Sequence, residues 1–283
     1  MVIYDICTDF LESVKLLPFI GAELEFYAIG EMPEINVFFV ELLDKAKKAN
    51  LNIGELKKES GPNQYEIIFN PSLDIVKLAE DIEKFRELAS NIAAEHKLIL
   101  SFGAKDFSNL PGSSMHVNIN LLNSLGENIF ARNEDNESEF MLYAIGGLIE
   151  VMPASLKYFA PIDECYLRYS KELEIQDQRK IIEVPKTISW GGNNRTVALR
   201  IPESSLREET RRIEHRVPCA NANIEKTLLA IILGIKHGIL NKIMPIYPKI
   251  FGNSFELQYN PVWLPQSLNE ALEYKHDILL ELE

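Results

Sequence analysis

Near residue 210 the chain runs RRIEHRV, in which charged and apolar side chains alternate with a period of two. That period belongs to a β-strand, because successive side chains of a strand point to opposite faces. Arg212, Glu214 and Arg216 then share one face, and Ile213, His215 and Val217 share the other. Three full charges cannot face an apolar core unpaired, so their face must line water, a metal or a charged ligand. The strand belongs to a longer stretch, residues 195–223, that concentrates arginine in an otherwise acidic protein. On these residues alone two readings stand open: an anion-binding surface, or a solvated outer face knitted by cross-strand ion pairs.

The same alternation recurs along the chain. FIGAELEFYAI (residues 19–29) sets Glu23 and Glu25 against Ala22, Leu24 and Phe26, and YEIIF (65–69) sets Glu66 against Tyr65 and Ile67. SMHVNINLL (114–122) sets His116, Asn118 and Asn120 against Met115, Val117, Ile119 and Leu121. LILSF (98–102) and TISW (187–190) also read as strands. Helical spacing of apolar residues predicts helices over 34–50, 74–97 with Ser72 as its cap, about 137–159, 223–242, and from 267 to the end. Gly146, Gly147 and Pro153 are expected to loosen or end the third of these. Glu59 lies in the turn-rich KKESGPNQ, and the polar run 164–183 reads as a mobile surface loop.

Composition narrows the functional classes. A formal net charge of -13 argues against a nucleic-acid binder, whose surface must neutralise phosphates, and suits divalent cations instead. The three cysteines, Cys7, Cys165 and Cys219, show no CxxC spacing, which argues against a thiolate zinc site or a disulfide framework and for a reducing cytoplasm. Cys219 and His215 read as structural. Asp5, Asp9 and Glu12 break up any signal-peptide core, and the apolar runs near 141–152 and 228–240 are too short to span a bilayer. The expectation is a non-membrane, cytoplasmic chain: one domain over residues 1–283, of which 1–18 form a short N-terminal extension.

Strands of one sheet can bring these polar faces together. Carboxylates with one imidazole suit Mg²⁺ or Mn²⁺, and neighbouring arginines suit phosphate or carboxylate ligands, a combination that points to phosphoryl chemistry. The phrases GAELEF, ESGPNQYEI, GSSMHVNINL, ISWGGNNRTVALRIP and RRIEHRVPCANAN, in this order, resemble the successive signatures of the glutamine synthetase family. The resemblance implies an α+β fold, a curved and mostly antiparallel sheet flanked by helices, with ATP and Mg²⁺ or Mn²⁺ as cofactors. It implies Glu25, Glu59 and Glu66 as ligands of a first metal and Glu23, His116 and Glu214 as ligands of a second. It implies Arg168 and Gly112 at the amino-acid substrate and Arg216 near that substrate's side-chain carboxylate. Arg195, Arg200 and Arg212, with Asn118 and Asn120, would serve the phosphates and nucleotide, and Glu183, twelve residues before Arg195, would take a proton from ammonium.

The sequence departs from the family pattern in places. About 20 residues precede GAELEF, where the family carries an N-terminal β-domain that completes the neighbouring subunit's site, so a separate lid chain or a small homo-oligomer is expected. The family's Asn-Gly-Ser-Gly-Met-His signature here reads Pro111-Gly112-Ser113-Ser114-Met115-His116, which weakens selectivity for glutamate. Asn118 replaces a histidine, and Phe255 stands where regulated relatives carry a modifiable tyrosine. The expected reaction is ATP-dependent amide formation between the glutamate side chain and ammonia, with a larger amine, or a catalytically impaired binding homologue, as the alternatives.

Overall fold

A computed structural model describes residues 3–30, 35–132, 136–171, 183–203 and 208–282. Along the chain these form α1 (Ile3–Val14), β1 (Leu17–Gly30), α2 (Ile35–Lys48), β2 (Ile53–Lys58), β3 (Gln64–Ser72), α3 (Ile75–Glu95), β4 (Leu98–Ser101) and β5 (Met115–Leu122). There follow α4 (Glu139–Phe159), α5 (Asp163–Tyr166), β6 (Trp190–Gly191), β7 (Leu199–Arg200), β8 (Ile213–His215), α6 (Ile224–Asn241) and α7 (Leu268–Glu273). The strands make one sheet in the order β2-β3-β1-β5-β8-β7-β6, with β4 paired to the far end of β1. Every pairing is antiparallel except β6 with β7, so the sheet is mixed and mostly antiparallel, as expected.

Alternation decides which side of the sheet the helices cover. Ala22, Leu24, Phe26, Ile67, Met115, Val117 and Ile119 are buried, and α3, with Leu78, Ile82 and Phe85 buried, packs on the β1 and β3 part of this face, the Phe85 ring lying 6.4 Å from Phe26 and 5.6 Å from Phe69. The α3 cap is Asp74, which accepts from the Lys77 amide, rather than Ser72; the Ser72 hydroxyl accepts from the Asp74 amide one step earlier. His215 faces the same core, its ring 4.8 Å from Phe159. Burial drives its pKa down to about 3, so it is neutral and structural.

Four expectations need correction. The glycines and Pro153 do not interrupt α4, which is one 21-residue helix. The glycines serve close packing instead: a Cβ on Gly147 would lie 2.2 Å from Gly234 O on α6, and one on Gly238 would lie 2.0 Å from Tyr143 O on α4. The uninterrupted α4 is also long and apolar enough to cross a membrane by length and composition, but 67% of its most apolar stretch is buried inside the fold. The final helix stops at Glu273, where Tyr274 takes an extended backbone (ψ 132°), and a short 3-10 turn, Asp277–Leu282, follows. The first eighteen residues are no mere extension, since they hold α1, whose Ile6 and Phe10 are buried, and the start of β1. The supposed surface loop begins in the core, where Arg168 and Tyr169 are buried; residues 172–182 lie outside the described residues.

Candidate active site

The register of β1 sets the site. On one side Glu25 lies opposite Glu66 of β3, and on the other Glu23 lies opposite His116 of β5. Asn118 lies opposite Glu214 of β8, which in turn lies opposite Arg200 of β7. Directly opposed residues of an antiparallel pair share a face, so five strands deliver their polar side chains to one surface.

At the β3–β1 end the charges are carboxylates with little to neutralise them. One ligand atom each of Glu23, Glu66 and His116 lies within 4.8 Å of the others. Glu23 Oε2 lies 3.4 Å from His116 Nδ1, and Glu23 Oε1 accepts from Asn118 Nδ2 at 3.0 Å. Glu25 accepts the Ser114 amide at 2.9 Å, and the Ser114 hydroxyl lies 2.8 Å from His116 Nε2. Burial, then Glu23, Glu25 and Glu59, push Glu66 up to about 8. Burial and Glu25 likewise raise Glu59. Burial acts against Glu23 as well, yet His116, Asn118 and Arg212 hold it down at about 2.

Towards β8 and β7 the balance reverses. Glu214, 2% exposed, is gripped by Arg200 Nη1 at 2.5 Å and by Arg216 Nη1, and lies 3.7 Å from His116 Nδ1. Burial would raise its pKa, but His116, Arg216 and Arg200 carry it below the usual carboxylate range. Arg212 Nε donates to Asn118 Oδ1 at 2.7 Å, and Arg200 also donates to the Asn193 side chain. Arg216 Nη2 donates to the Glu183 carbonyl at 2.9 Å, while the Glu183 carboxylate pairs with Arg195 at 2.8 Å on the exposed rim.

Arg168 lies beneath this surface. Its Nη1 donates to Val217 O and Pro218 O at 3.1 and 3.3 Å and approaches Cys219 Sγ at 3.1 Å, while its Nε has no partner among the described residues. Gly112 rests on its stem: a Cβ there would lie 2.7 Å from Arg168 Cγ and 2.5 Å from Ala104 O. Cys219 is thus less bland than its sequence context implied, since burial opposes ionisation but Cys165, Arg168 and Tyr169 draw its thiol pKa down.

Of the two trios expected as metal ligands, the grouping that forms mixes them. Glu23, Glu66 and His116 come within reach of one ion, while Glu25 is turned to the Ser114 amide, Glu59 sits half-buried beside its own Ser60 amide, and Glu214 is held by arginines. Asn120 lies further along β5, opposite Phe19, away from the carboxylates. Ser114 escaped the sequence reading although it stands in the GSSMHV phrase; a serine two residues before a candidate ligand on a strand was the available signal.

The family profile described as glutamine synthetase, catalytic domain, matches residues 12–279. The chain belongs to the glutamine synthetase family. It is 29% identical to gamma-glutamylputrescine synthetase PuuA of Escherichia coli (strain K12), over 94% of this chain and 61% of that protein. It is 31% identical to glutamine synthetase of Pyrococcus horikoshii, over 93% of this chain and 62% of that protein. The chain therefore spans about three fifths of the length of these relatives. In fold it superposes on a GmaS/ADP complex with a TM-score of 0.82 at 20% identity, covering 99% of this chain and 68% of the other.

The donor set fits the divalent cations of this family. Glu66, buried against three other carboxylates, is a group whose ionised form lacks a cation, and oxygen donors with one imidazole match Mg²⁺ or Mn²⁺.

Proposed function

We propose that the chain carries the catalytic face of an ATP-dependent carboxylate–amine ligase that joins an amine to the side-chain carboxylate of glutamate. The observation that carries this reading is the pairing, on one face, of an under-neutralised carboxylate cluster with an arginine-rich strand pair. The first suits divalent cations, and the second suits the phosphate and carboxylate they would accompany.

Glu23, Glu25, Glu59, Glu66, His116 and Glu214 would hold Mg²⁺ or Mn²⁺, whose bound charge would offset that of the ATP phosphates and the acceptor carboxylate. Arg168, rigid in its cage of carbonyls, and Gly112, which lets the chain approach it, would orient the amino acid. The side-chain carboxylate oxygen attacks the γ-phosphorus and ADP leaves, while Arg195, Arg200, Arg212 and Arg216 stabilise the developing negative charge, with Asn118 and Asn120 on the nucleotide side. The amine nitrogen then attacks the acyl phosphate carbon, phosphate departs, and Glu183 takes the proton lost by nitrogen. Glu183 suits that role because its backbone is tied to Arg216 while its carboxylate stays on the exposed rim.

A larger amine in place of ammonia is favoured by one observation: the relatives include a gamma-glutamylputrescine synthetase at an identity similar to that of glutamine synthetases. The deciding assay supplies ATP, Mg²⁺ or Mn²⁺ and glutamate with a panel running from ammonia to diamines, and measures phosphate release and the amide formed. We expect release that requires both glutamate and an amine. Binding of ATP and glutamate with no amine-dependent release across the panel would replace this reading with that of a binding homologue.

A further inference from the structure

On the helical layer, behind the sheet, Glu150 of α4, His237 of α6 and His276 in the segment after α7 converge. Glu150 Oε1 lies 3.3 Å from His237 Nε2 and 3.4 Å from His276 Nε2, and the two imidazole rings meet edge to face with centroids 4.9 Å apart. One ligand atom from each residue lies within 4.8 Å of the others. Those distances are long for hydrogen bonds but match the edges of a coordination polyhedron: ligands at about 2.0–2.1 Å from a tetrahedral ion stand about 3.4 Å apart. We propose that Glu150, His237 and His276 form a second cation site, for a borderline divalent ion such as Zn²⁺, that ties the C-terminal segment to α4 and α6.

The donor chemistry separates this site from the one on the sheet. Two imidazoles and one carboxylate select Zn²⁺, Co²⁺ or Ni²⁺ over Mg²⁺, which prefers oxygen and keeps its water. The neighbouring Lys236 is turned away to Asp9, so it does not neutralise Glu150. His237 also lines a cavity of about 250 Å³ together with Leu233, Lys236, Leu240, Asn241 and Ile278.

Binding requires both imidazoles to offer the Nε2 lone pair, so each ring carries its proton on Nδ1. Asn241 stands 3.1 Å from His237 Nδ1 and its amide presents an acceptor when turned, giving up its exposed bond to the His237 carbonyl. The Ile278 amide contacts His276 Nδ1 only at 3.5 Å, so little is lost when that ring takes the other tautomer. The structural return is local. The C-terminal turn is docked through Leu279 and Leu282, which are buried, and a three-element ion bridge adds a fixed point to it.

The test uses the whole chain saturated with Mg²⁺, then titrated with Zn²⁺ by calorimetry and with Co²⁺ by visible absorption. Wild type should bind one more equivalent of Zn²⁺ than His276→Ala or Glu150→Gln, and its melting temperature should rise by about 2–5 °C on adding Zn²⁺ while the variants' do not. All proteins should retain the same Mg²⁺ stoichiometry. Should His276→Ala fail to fold, His237→Gln supplies the same comparison. Equal Zn²⁺ stoichiometry in wild type and folded variants, or equal Zn²⁺-dependent stabilisation, would overturn the proposal.

Discussion

Glu66 and Glu214 are both buried carboxylates on the same face of one sheet, and their surroundings push them in opposite directions. Glu66 on β3 meets Glu23, Glu25 and Glu59, and its pKa rises to about 8. Glu214 on β8 meets Arg200, Arg216 and His116, and its pKa falls below the ordinary range. Burial disfavours the charge of each by a similar mechanism, so the sign is set by the neighbours. Around Glu66 carboxylates therefore outweigh the cations, Lys57 being the one cation among the described residues that acts on it, while at the β8–β7 end cations outweigh the carboxylate. On the proposed reading, anionic phosphates would fit against the second only while metal ions occupied the first.

The sharpest way to break that comparison is to remove one charge from each end. Glu66→Ala should lower ligation by at least about 10²-fold, because a ligand for the charge-neutralising ion is lost. Its metal-free fold should be as stable as wild type or more stable, since the deletion relieves carboxylate repulsion. Arg216→Met should lower ligation by a similar factor but destabilise the metal-free fold by about 2–3 kcal/mol, because Glu214 stays buried with one guanidinium fewer. Phosphate release and thermal unfolding in EDTA read both quantities. Equal loss of stability in the two variants would show that the ends do not differ.

Much of this contrast could be read from alternation alone. GAELEF, YEIIF, MHVNIN and RRIEHR each place their charges on one side, and the observed register then puts Glu23 beside His116 and Glu25 beside Glu66. What alternation cannot reveal is which oxygen finds which partner. Glu25 is turned to a backbone amide and Glu214 to two arginines, so among the described residues the ligand atoms that already lie within 4.8 Å of one another are those of Glu23, Glu66 and His116, drawn from both expected trios. Arg168 reads as part of a polar loop because its flanks are polar; its burial depends on Val217, Pro218 and Cys219, some fifty positions away, which local spacing cannot register. The continuity of α4 is a similar case. Gly146, Gly147 and Pro153 weaken an isolated helix, but packing against α6 outweighs propensity.

The next prediction sharpens the comparison through pH. A carboxylate whose folded pKa is raised costs nothing below its unfolded pKa, and its penalty grows until pH passes the folded value. For Glu66 the window runs from 4.5 to about 8. In EDTA the stability of the chain should therefore fall as pH rises across that range, by a few kcal/mol at most. Glu23 works the other way: its contribution is present above 4.5 and is lost as pH falls towards about 2. Saturating Mg²⁺ or Mn²⁺ should abolish the loss on the alkaline side and bind more tightly as pH rises, since it competes with the Glu66 proton. Melting temperatures at a series of pH values, with and without the ion, measure this. A metal-free curve that is flat between pH 5 and about 8 would contradict the charge imbalance assigned to the β3–β1 end.

The smallest effect is expected away from both charged ends, at Gly112. A Cβ there would lie 2.5 Å from Ala104 O and 2.7 Å from Arg168 Cγ, so Gly112→Ala must displace backbone or the arginine stem. Arg168 is held at Nη1 by Val217 and Pro218, so the stem gives first and the guanidinium shifts by a fraction of an ångström. If Arg168 grips the amino acid, the KM for glutamate should rise by about tenfold, while kcat falls less, because weakened ground-state binding appears mainly in KM. Affinity for Mg²⁺ or Mn²⁺ should stay unchanged, since neither residue touches the carboxylates around Glu66. Steady-state kinetics with varied glutamate, beside a metal titration, separate the outcomes. An unchanged KM in a folded variant would remove Arg168 from the substrate pocket, and a changed metal affinity would show that the amino-acid pocket and the cation cluster are mechanically one unit.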